Sequence, residues 1–279
     1  MRIVRWIVSG LLMLSAASVQ AAEKDPIDVI QDNSFLVEEA YNQEAGVVQH
    51  IFTAVYTTGS RRGWQFSFTQ EWPAYGLEHQ LSYTIPSSHL VDDGQRQYGI
   101  GDILLNYRYQ ALEEGPRQPA FAPRFSLIFP TGNRDKGTGN GVIGFQWQLP
   151  FSKKLASRLA GHFDFGVTYL PHVRARLDDG TLSPKKSLVS YDVNASLIYA
   201  ILPRLHFLLE FASNFEQSIN DNGNPTRDWA PVLSPGLRGA VVNQEGLQVV
   251  VGAAAPIGLN RKADNFGALL YFSIEHQLF

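Results

Sequence analysis

Two histidine–acid pairs are the residues whose spacing invites catalytic chemistry. His162 and Asp164 lie two residues apart, and His206 and Glu210 lie four apart. Such residues share one face of a β-strand, where a carboxylate can orient an imidazole beside a nucleophilic serine. Candidate serines are Ser67, Ser82 and Ser196. Any strand with one polar face produces such pairs by chance, and the sequence has no Gly-x-Ser-x-Gly elbow, metal-type histidine cluster or phosphate loop. It predicts no catalytic residue, cofactor or metal, and a lipid hydrolase stays as an alternative.

Polar residues recur at alternate positions in many parts of the chain. In a β-strand, this spacing places them all on one face. We expect them to line the interior of a barrel, where charges of both signs either pair in a structural network or form a selective polar passage. The candidates are Asp102, Asn106, Arg108, Arg124, Gln146, Gln148, Arg158, His162, Asp164, Asp192, Asn194, His206, Glu210 and Arg238, with Glu71, Glu78, Gln80, Asn214 and Glu275 on the same face.

Twelve alternating segments carry these residues. The clearest is 64–72, in which aromatic residues alternate with small or polar ones, the period of a half-buried strand. The segments are 47–57, 64–72, 77–85, 100–110, 121–129, 142–149, 157–169, 188–201, 204–215, 232–241, 247–255 and 267–279. The exported chain, the unequal connections at the two ends and the composition of the polar face favour a transmembrane antiparallel β-barrel over a soluble β-sandwich or lipocalin-like barrel, whose aromatic residues would form the core.

The connections between the segments alternate in size. Longer, polar connections are expected at one end, at 86–98, 130–141, 170–187, 216–231 and 256–266, with a short exception at 58–62. Tight turns are expected at the other end, apart from 111–120. This asymmetry is typical of bacterial outer-membrane barrels, whose long loops face the outside of the cell.

Composition narrows the class of protein further. The chain has 279 residues, no cysteine and a formal net charge of -3, which excludes a disulfide framework and argues against a nucleic-acid partner. Residues 1–21 combine two arginines, a short apolar stretch and small residues before the expected cleavage point, the pattern of a secretory signal peptide. We therefore expect a signal peptide over 1–21, a periplasmic segment over 22–45 and a barrel over 46–279.

A short amphipathic helix is predicted within the periplasmic segment. Asn33 or Ser34 could cap it, and Glu38 and Glu39 would lie in its early turns. Its apolar residues need cover, so we expect the helix to dock at or inside the mouth of the barrel. A flexible leader is the alternative.

Two short motifs carry a family resemblance. One strand opens with Gly99-Ile100-Gly101-Asp102, and the next is followed by Pro130-Thr131-Gly132. Over about residues 98–170 the chain resembles the outer-membrane proteins of the MetA-pathway of phenol degradation family. The resemblance implies an outer-membrane barrel associated with uptake of aromatic or other apolar compounds. From the residues themselves, we expect Asp102 to point inward and bind donors such as Arg124.

These observations predict a narrow channel or transporter for small molecules in the bacterial outer membrane. The expected partners are outer-membrane lipids, lipopolysaccharide, the barrel-assembly machinery and a small-molecule ligand that the sequence does not identify. The alternatives are the lipid hydrolase and a closed structural barrel.

Overall fold

The fold is a closed antiparallel β-barrel of twelve strands. A computed structural model describes residues 32–58, 61–92, 95–177, 179–263 and 266–278. The expected signal peptide and residues 22–31 lie outside the described residues. The β-elements are β1 Val47–Thr58, β2 Arg61–Pro73, β3 His79–Asp92, β4 Gln95–Ile100, β5 Ile103–Tyr109, β6 Ala120–Phe121, β7 Arg124–Phe129, β8 Gly144–Ala156, β9 Leu159–Val173, β10 Lys186–Leu202, β11 Leu205–Ile219, β12 Pro225–Gln244, β13 Leu247–Ala254, β14 Ile257–Gly258 and β15 Phe266–Gln277.

These fifteen elements form twelve barrel strands because three of the strands are interrupted. β4 and β5 both pair with β3, β6 and β7 both pair with β8, and β13 and β14 both pair with β12. Pairing of β1 with β15 and of β11 with β12 completes the circle, so the barrel has no free edge along these strands. The prediction of about twelve strands is confirmed.

A proline lies opposite each interruption. The carbonyl of Pro86 accepts from Gly101 between β4 and β5, that of Pro150 accepts from Ala122 before β7, and that of Pro235 accepts from Ala255 before β14. Proline has no N–H to donate, so the hydrogen-bond ladder beside it is incomplete and the neighbouring strand departs from its register. All three prolines lie inside long strands. The sequence had indicated that Pro86 and Pro150 lie in connections between strands.

The outer surface of the barrel is apolar. Residues alternate along β15, with Leu269, Tyr271 and Ser273 buried while Leu270 and Phe272 are exposed. The same outward alternation exposes Phe52, Phe66, Leu105, Trp147, Phe163, Leu197, Phe207, Leu237 and Val251 on other strands. A continuous exposed apolar surface around a closed barrel is the signature of a transmembrane β-barrel, whose outer face contacts lipid.

The connections between strands are longer at one end of the barrel than at the other, but the difference in length is smaller than the sequence indicated. At the turn end, β8–β9, β10–β11 and β12–β13 are joined by two-residue turns, while the β5–β6 connection is long as expected. At the loop end, β3 and β4 form a hairpin where a loop over 86–98 was expected, and the expected loop over 216–231 shortens to 220–224. Ladder hydrogen bonds extend these strands beyond the residues whose alternation is clear. Among the described residues, no helix is long and apolar enough to cross a bilayer.

The predicted helix over 33–41 is not present. Residues 32–43, called here the lumen segment, run through the barrel interior as bends and irregular backbone. Their main-chain groups bond to wall side chains, since Leu36 N–H donates to Glu210, Ala40 N–H donates to Ser152 and the Tyr41 carbonyl accepts from Arg108. These tertiary partners replace the bonds that a helix would make with itself. The segment does dock inside the barrel.

Candidate functional site

The candidate site is the barrel interior around the lumen segment. The inward face of each strand places a polar side chain toward this segment, because successive side chains alternate between lipid and lumen. Arg238 of β12 donates to the carbonyls of Asp32 and Asn33 at 2.7 and 2.8 Å. The Asp32 carboxylate accepts from Gln49 of β1 and from Tyr271 of β15. The start of the segment is therefore bonded to three strands at one side of the barrel.

The middle of the lumen segment is held by ion pairs between Glu38 and two arginines of the wall. Glu38 Oε1 lies 2.6 Å from Arg108 Nη2 and 2.9 Å from Arg124 Nε. Burial alone would raise the pKa of Glu38, but the guanidinium groups of Arg124 and Arg108 outweigh it and hold the pKa below its usual 4.5. Glu38 is therefore ionised at neutral pH and bound to both arginines.

A second network lies beyond Arg124, toward the loop end. Arg124 donates to Asn106 at 2.9 Å and to Gln146 at 3.3 Å. Asn194 donates to Asp192 at 2.9 Å and to Asp164 at 3.3 Å, and Gln148 also contacts Asp192. Gly166 makes this cluster possible, because a Cβ there would overlap both Asp192 and Gln148. These side chains join five strands into one polar layer.

The structure therefore brings most of the predicted interior residues together. Those in the two networks or against the lumen segment are Asn106, Arg108, Arg124, Gln146, Gln148, His162, Asp164, Asp192, Asn194, Glu210 and Arg238. His206 is fully buried on the inner face of β11. Gln80, Glu71 and Asn214 also face inward, with Gln80 bonded to both Glu71 and Gln43 of the lumen segment. Glu275 lies at the turn end of the lumen.

Three predicted interior residues lie elsewhere. Arg158 is in the turn between β8 and β9, at the end of the barrel wall. The Arg158 carbonyl accepts a hydrogen bond from the Ala200 N–H. Asp102 lies in the break between β4 and β5, and its carboxylate accepts from Gly132 N–H and from the main chain and side chain of Asn140. The expectation that Asp102 binds Arg124 is wrong, because the break turns Asp102 toward the 130–143 loop. Glu78 is in the β2–β3 turn, also outside the wall.

The histidine–acid pairs are arranged differently from the expected catalytic geometry. His162 Nδ1 contacts Ser152 Oγ at 2.8 Å, and His162 Nε2 lies 3.7 Å from Glu39, while Asp164 contacts Asn194. Ser152 was not among the candidate serines. Its hydroxyl is almost fully buried and accepts the Ala40 N–H, so the lumen segment covers it. Within the described residues, no group of three or more histidines and acids could hold a metal ion.

An apolar cluster inside the lumen was missed by the sequence analysis, which assigned only polar residues to the interior. Phe35 of the lumen segment packs against Ile51, Ile198, Leu208 and Leu269 of the wall. Glycines on β12 and β13 make room for its ring. An even spacing of apolar residues on the otherwise polar face of β10, β11 and β15 is the signal that could have indicated this cluster.

Three cavities lie in the barrel interior and at its two ends. The upper vestibule, about 1080 Å³, lies at the loop end and reaches down to Gln146 and Asp192. The middle cavity, about 260 Å³, lies between the lumen segment and β1, β2, β3, β5 and β7 and reaches Arg108 and Arg124. The lower cavity, about 230 Å³, lies at the turn end between Asp32, Gln43 and Glu275. The lumen segment borders both the middle and the lower cavity.

A closed twelve-stranded wall, an apolar exterior and a polar interior decide the class of fold. The chain has the outer-membrane β-barrel fold. It is similar to an outer-membrane channel from Pseudomonas putida F1, with a TM-score of 0.63 and 13% identity over 88% of this chain and 100% of that chain. It is also similar to the NanC porin, with a TM-score of 0.51 and 12% identity over 82% of this chain and 100% of that chain. Comparison with protein-family models and with curated proteins finds no match.

Proposed function

We propose that this protein is a bacterial outer-membrane channel for small molecules, in which the lumen segment closes the passage. The observation that carries the proposal is that residues 32–43 lie between the middle cavity and the lower cavity and line both of them. The segment is held by hydrogen bonds, ion pairs and the burial of Phe35, all of which can be reversed. A solute that enters the vestibule can therefore cross only if this segment moves.

The chemistry of the interior favours small solutes with an apolar part. The middle cavity is bordered by Phe35, Leu36, Ile51 and Leu104 as well as by polar groups. This mixture suits an aromatic or other apolar body. We propose, from the Gly99–Asp102 and Pro130–Gly132 motifs, that the chain is a member of the MetA-pathway of phenol degradation family, and the apolar residues of the middle cavity support this proposal.

We propose that the protein is exported and then inserted into the outer membrane. A signal peptide over residues 1–21 is removed on export, and the barrel-assembly machinery inserts the mature chain. The exposed apolar belt then contacts outer-membrane lipids, while the loop end faces lipopolysaccharide and the outside of the cell.

A disulfide between the lumen segment and the wall tests the channel. Ser34 Oγ and Ser196 Oγ are 3.3 Å apart, and the chain has no cysteine, so S34C/S196C can form one defined bond. In planar bilayers, we expect the reduced double variant to conduct and the oxidised one to be silent, with the single variant S34C as the control for the redox treatment. Equal conductance in both states would show that the segment does not gate the barrel. Absence of current in every form would favour the closed structural barrel.

The hydrolase alternative is tested separately in lipid vesicles. The Ser152–His162–Glu39 arrangement is the observation in its favour, and the burial of Ser152 under Ala40 is the observation against it. We expect wild type and S152A to leave phospholipid and lipopolysaccharide equally intact. Release of fatty acid by wild type but not by S152A or H162A would establish a hydrolase.

A further inference from the structure

Two arginines lie directly opposite each other on adjacent strands of the wall. Arg108 of β5 and Arg124 of β7 are partners in the ladder register, so both side chains point into the lumen from neighbouring positions. Arg108 is nearly fully buried. Like charges at directly opposed positions destabilise a sheet unless an anion lies between them. These two residues therefore form a site that requires a negative charge.

The chain itself supplies that charge through Glu38. One carboxylate oxygen, Glu38 Oε1, contacts both guanidinium groups, at 2.6 and 2.9 Å. Glu71 of the wall lies farther away, at 3.9 Å from Arg108, and its carboxylate also accepts from Gln80. Asp164 and Asp192, the acids of the polar layer beyond Arg124, are hydrogen-bonded to Asn194. Without Glu38, the two guanidinium groups would lose the carboxylate oxygen that contacts both of them, and Glu71, Asp164 and Asp192 would remain as the wall acids that interact with them.

The arginine pair is placed where a solute would meet it. Arg124 borders the middle cavity and donates to Gln146, which borders the upper vestibule. Beside the pair, the middle cavity offers Ile51 and Leu104 from the wall and Phe35 from the lumen segment. A molecule with one carboxylate and a small apolar body matches this combination of charge and surface.

We propose that Arg108 and Arg124 form a binding site for small apolar monocarboxylates, which Glu38 occupies when the lumen segment is docked. An incoming carboxylate competes with Glu38 for the same guanidinium groups. Its binding removes the ion pairs that hold the middle of the lumen segment, and the segment is released. The inference rests on the proposed channel function and names the class of solute that opens it.

Benzoate and benzamide are suitable probes, because they have the same shape and differ in charge. Calorimetric titration of the full mature protein in detergent is expected to give saturable binding of benzoate and none of benzamide. E38Q should bind benzoate about tenfold more tightly than wild type, because the competing carboxylate is gone and the wall is unchanged. R124Q should bind it about tenfold more weakly, and R204Q, which removes a charge in the β10–β11 turn, should match wild type.

Release of the lumen segment is measured at a single cysteine. Ala40 is fully buried against the wall, and A40C would be the only thiol in the chain. We expect benzoate, but not benzamide, to increase the rate of maleimide labelling of A40C at least tenfold. Half of this increase should be reached at a benzoate concentration near its dissociation constant. Adding E38Q should increase the labelling rate without benzoate.

The site proposal is overturned if benzoate and benzamide act alike, or if E38Q binds benzoate no more tightly than wild type. E38Q keeps every wall residue, so this arm holds even if R124Q fails to fold. The channel proposal is judged by the S34C/S196C conductance. Benzoate binding together with equal conductance in the reduced and oxidised states would support the site and reject the gated channel. Equal effects of benzoate and benzamide together with disulfide-dependent conductance would support the gated channel and reject the site.

Discussion

The ring of Phe35 occupies the space that a side chain at position 252 would need. A Cβ on Gly252 would overlap Phe35 Cζ, and a Cβ on Gly236 would lie 2.9 Å from Phe35 Cε2. These two glycines form a recess on the inner face of β12 and β13 that receives the first apolar residue of the lumen segment. The fit of one ring into this recess explains why the segment is seated at this side of the barrel.

Gly252→Ala is expected to loosen the lumen segment while the barrel stays folded. The added methyl group must displace the Phe35 ring, and overpacking of this kind costs about 1–3 kcal/mol. Amide hydrogen exchange at Leu36 and Ala40 should become about tenfold faster, with strand amides unchanged. Gly161→Ala is the matched control, because that glycine is on the outer face of β9 and its nearest neighbour is the flexible Leu155 side chain. Unchanged exchange in G252A would show that the recess does not seat the segment.

Because the outer surface of the barrel is apolar, we expect the effect of a charged substitution on stability to depend on its depth in the membrane. Leu270 lies near the middle of β15 and is 52% exposed, and Leu278 follows the strand at the turn end and is 58% exposed. In lipid vesicles, L270R should lower the free energy of unfolding by about 2–4 kcal/mol and L278R by about 0–1 kcal/mol. Urea titration measures both. An exposed leucine in water would tolerate arginine at either position, so equal small effects would mean that lipid does not contact this face.

Strand number and the orientation of most side chains could be predicted from the sequence because both depend on a local period of two. Arg124, Gln148 and Asn194 were placed inside by parity alone, and the structure has them on the inner face. The interruptions could not be predicted in the same way. They depend on which proline lies across from which neighbour, as Pro86 lies across from Gly101, and that register is a property of the paired strands.

The lumen segment was beyond local pattern analysis for a different reason. Asn33 and Ser34 followed by Glu38 and Glu39 resemble the start of a helix, but Ser34 bonds to Glu39 and to Ser196, which is 162 positions away. Bonds to the wall outweigh a short helix, which is marginal in isolation. The inward apolar cluster exists for the same reason, because Phe35 supplies the surface that Leu208 and Leu269 bury.

Asp102 is expected to hold the 130–143 loop in place. Its carboxylate accepts hydrogen bonds from two main-chain N–H groups and one side-chain amide of that loop. D102A leaves these donors without their partner, at a cost of about 1–3 kcal/mol, so trypsin should cleave after Arg134 and Lys136 faster than in wild type. D102N, which keeps one acceptor oxygen, should be intermediate. D179A is the control, because Asp179 is exposed and accepts hydrogen bonds from Thr181 of its own turn. Cleavage rates that match wild type in D102A would contradict this role.

Acid should release the lumen segment through Glu38. The pKa of Glu38 is lower when docked than its usual 4.5, so ionised Glu38 stabilises docking above pH 4.5, and this stabilisation is lost as the pH falls through the lowered value. Burial raises the pKa of Asp32 against the opposing effect of Arg238, so protonation of Asp32 on acidification favours docking instead. Asp32 is common to wild type and E38Q, and comparison of the two isolates Glu38.

The labelling rate of A40C measures this pH dependence. Below pH 4.5, the rate should increase in A40C, which keeps Glu38, relative to neutral pH, after correction for the reactivity of a free thiol measured on a peptide. A40C/E38Q should label faster than A40C at neutral pH and show no such increase, since glutamine does not titrate. A40C/D32N should keep the acid-dependent increase and strengthen it, because the opposing titration has been removed. An increase of the same size in A40C and A40C/E38Q would assign acid release to a group other than Glu38.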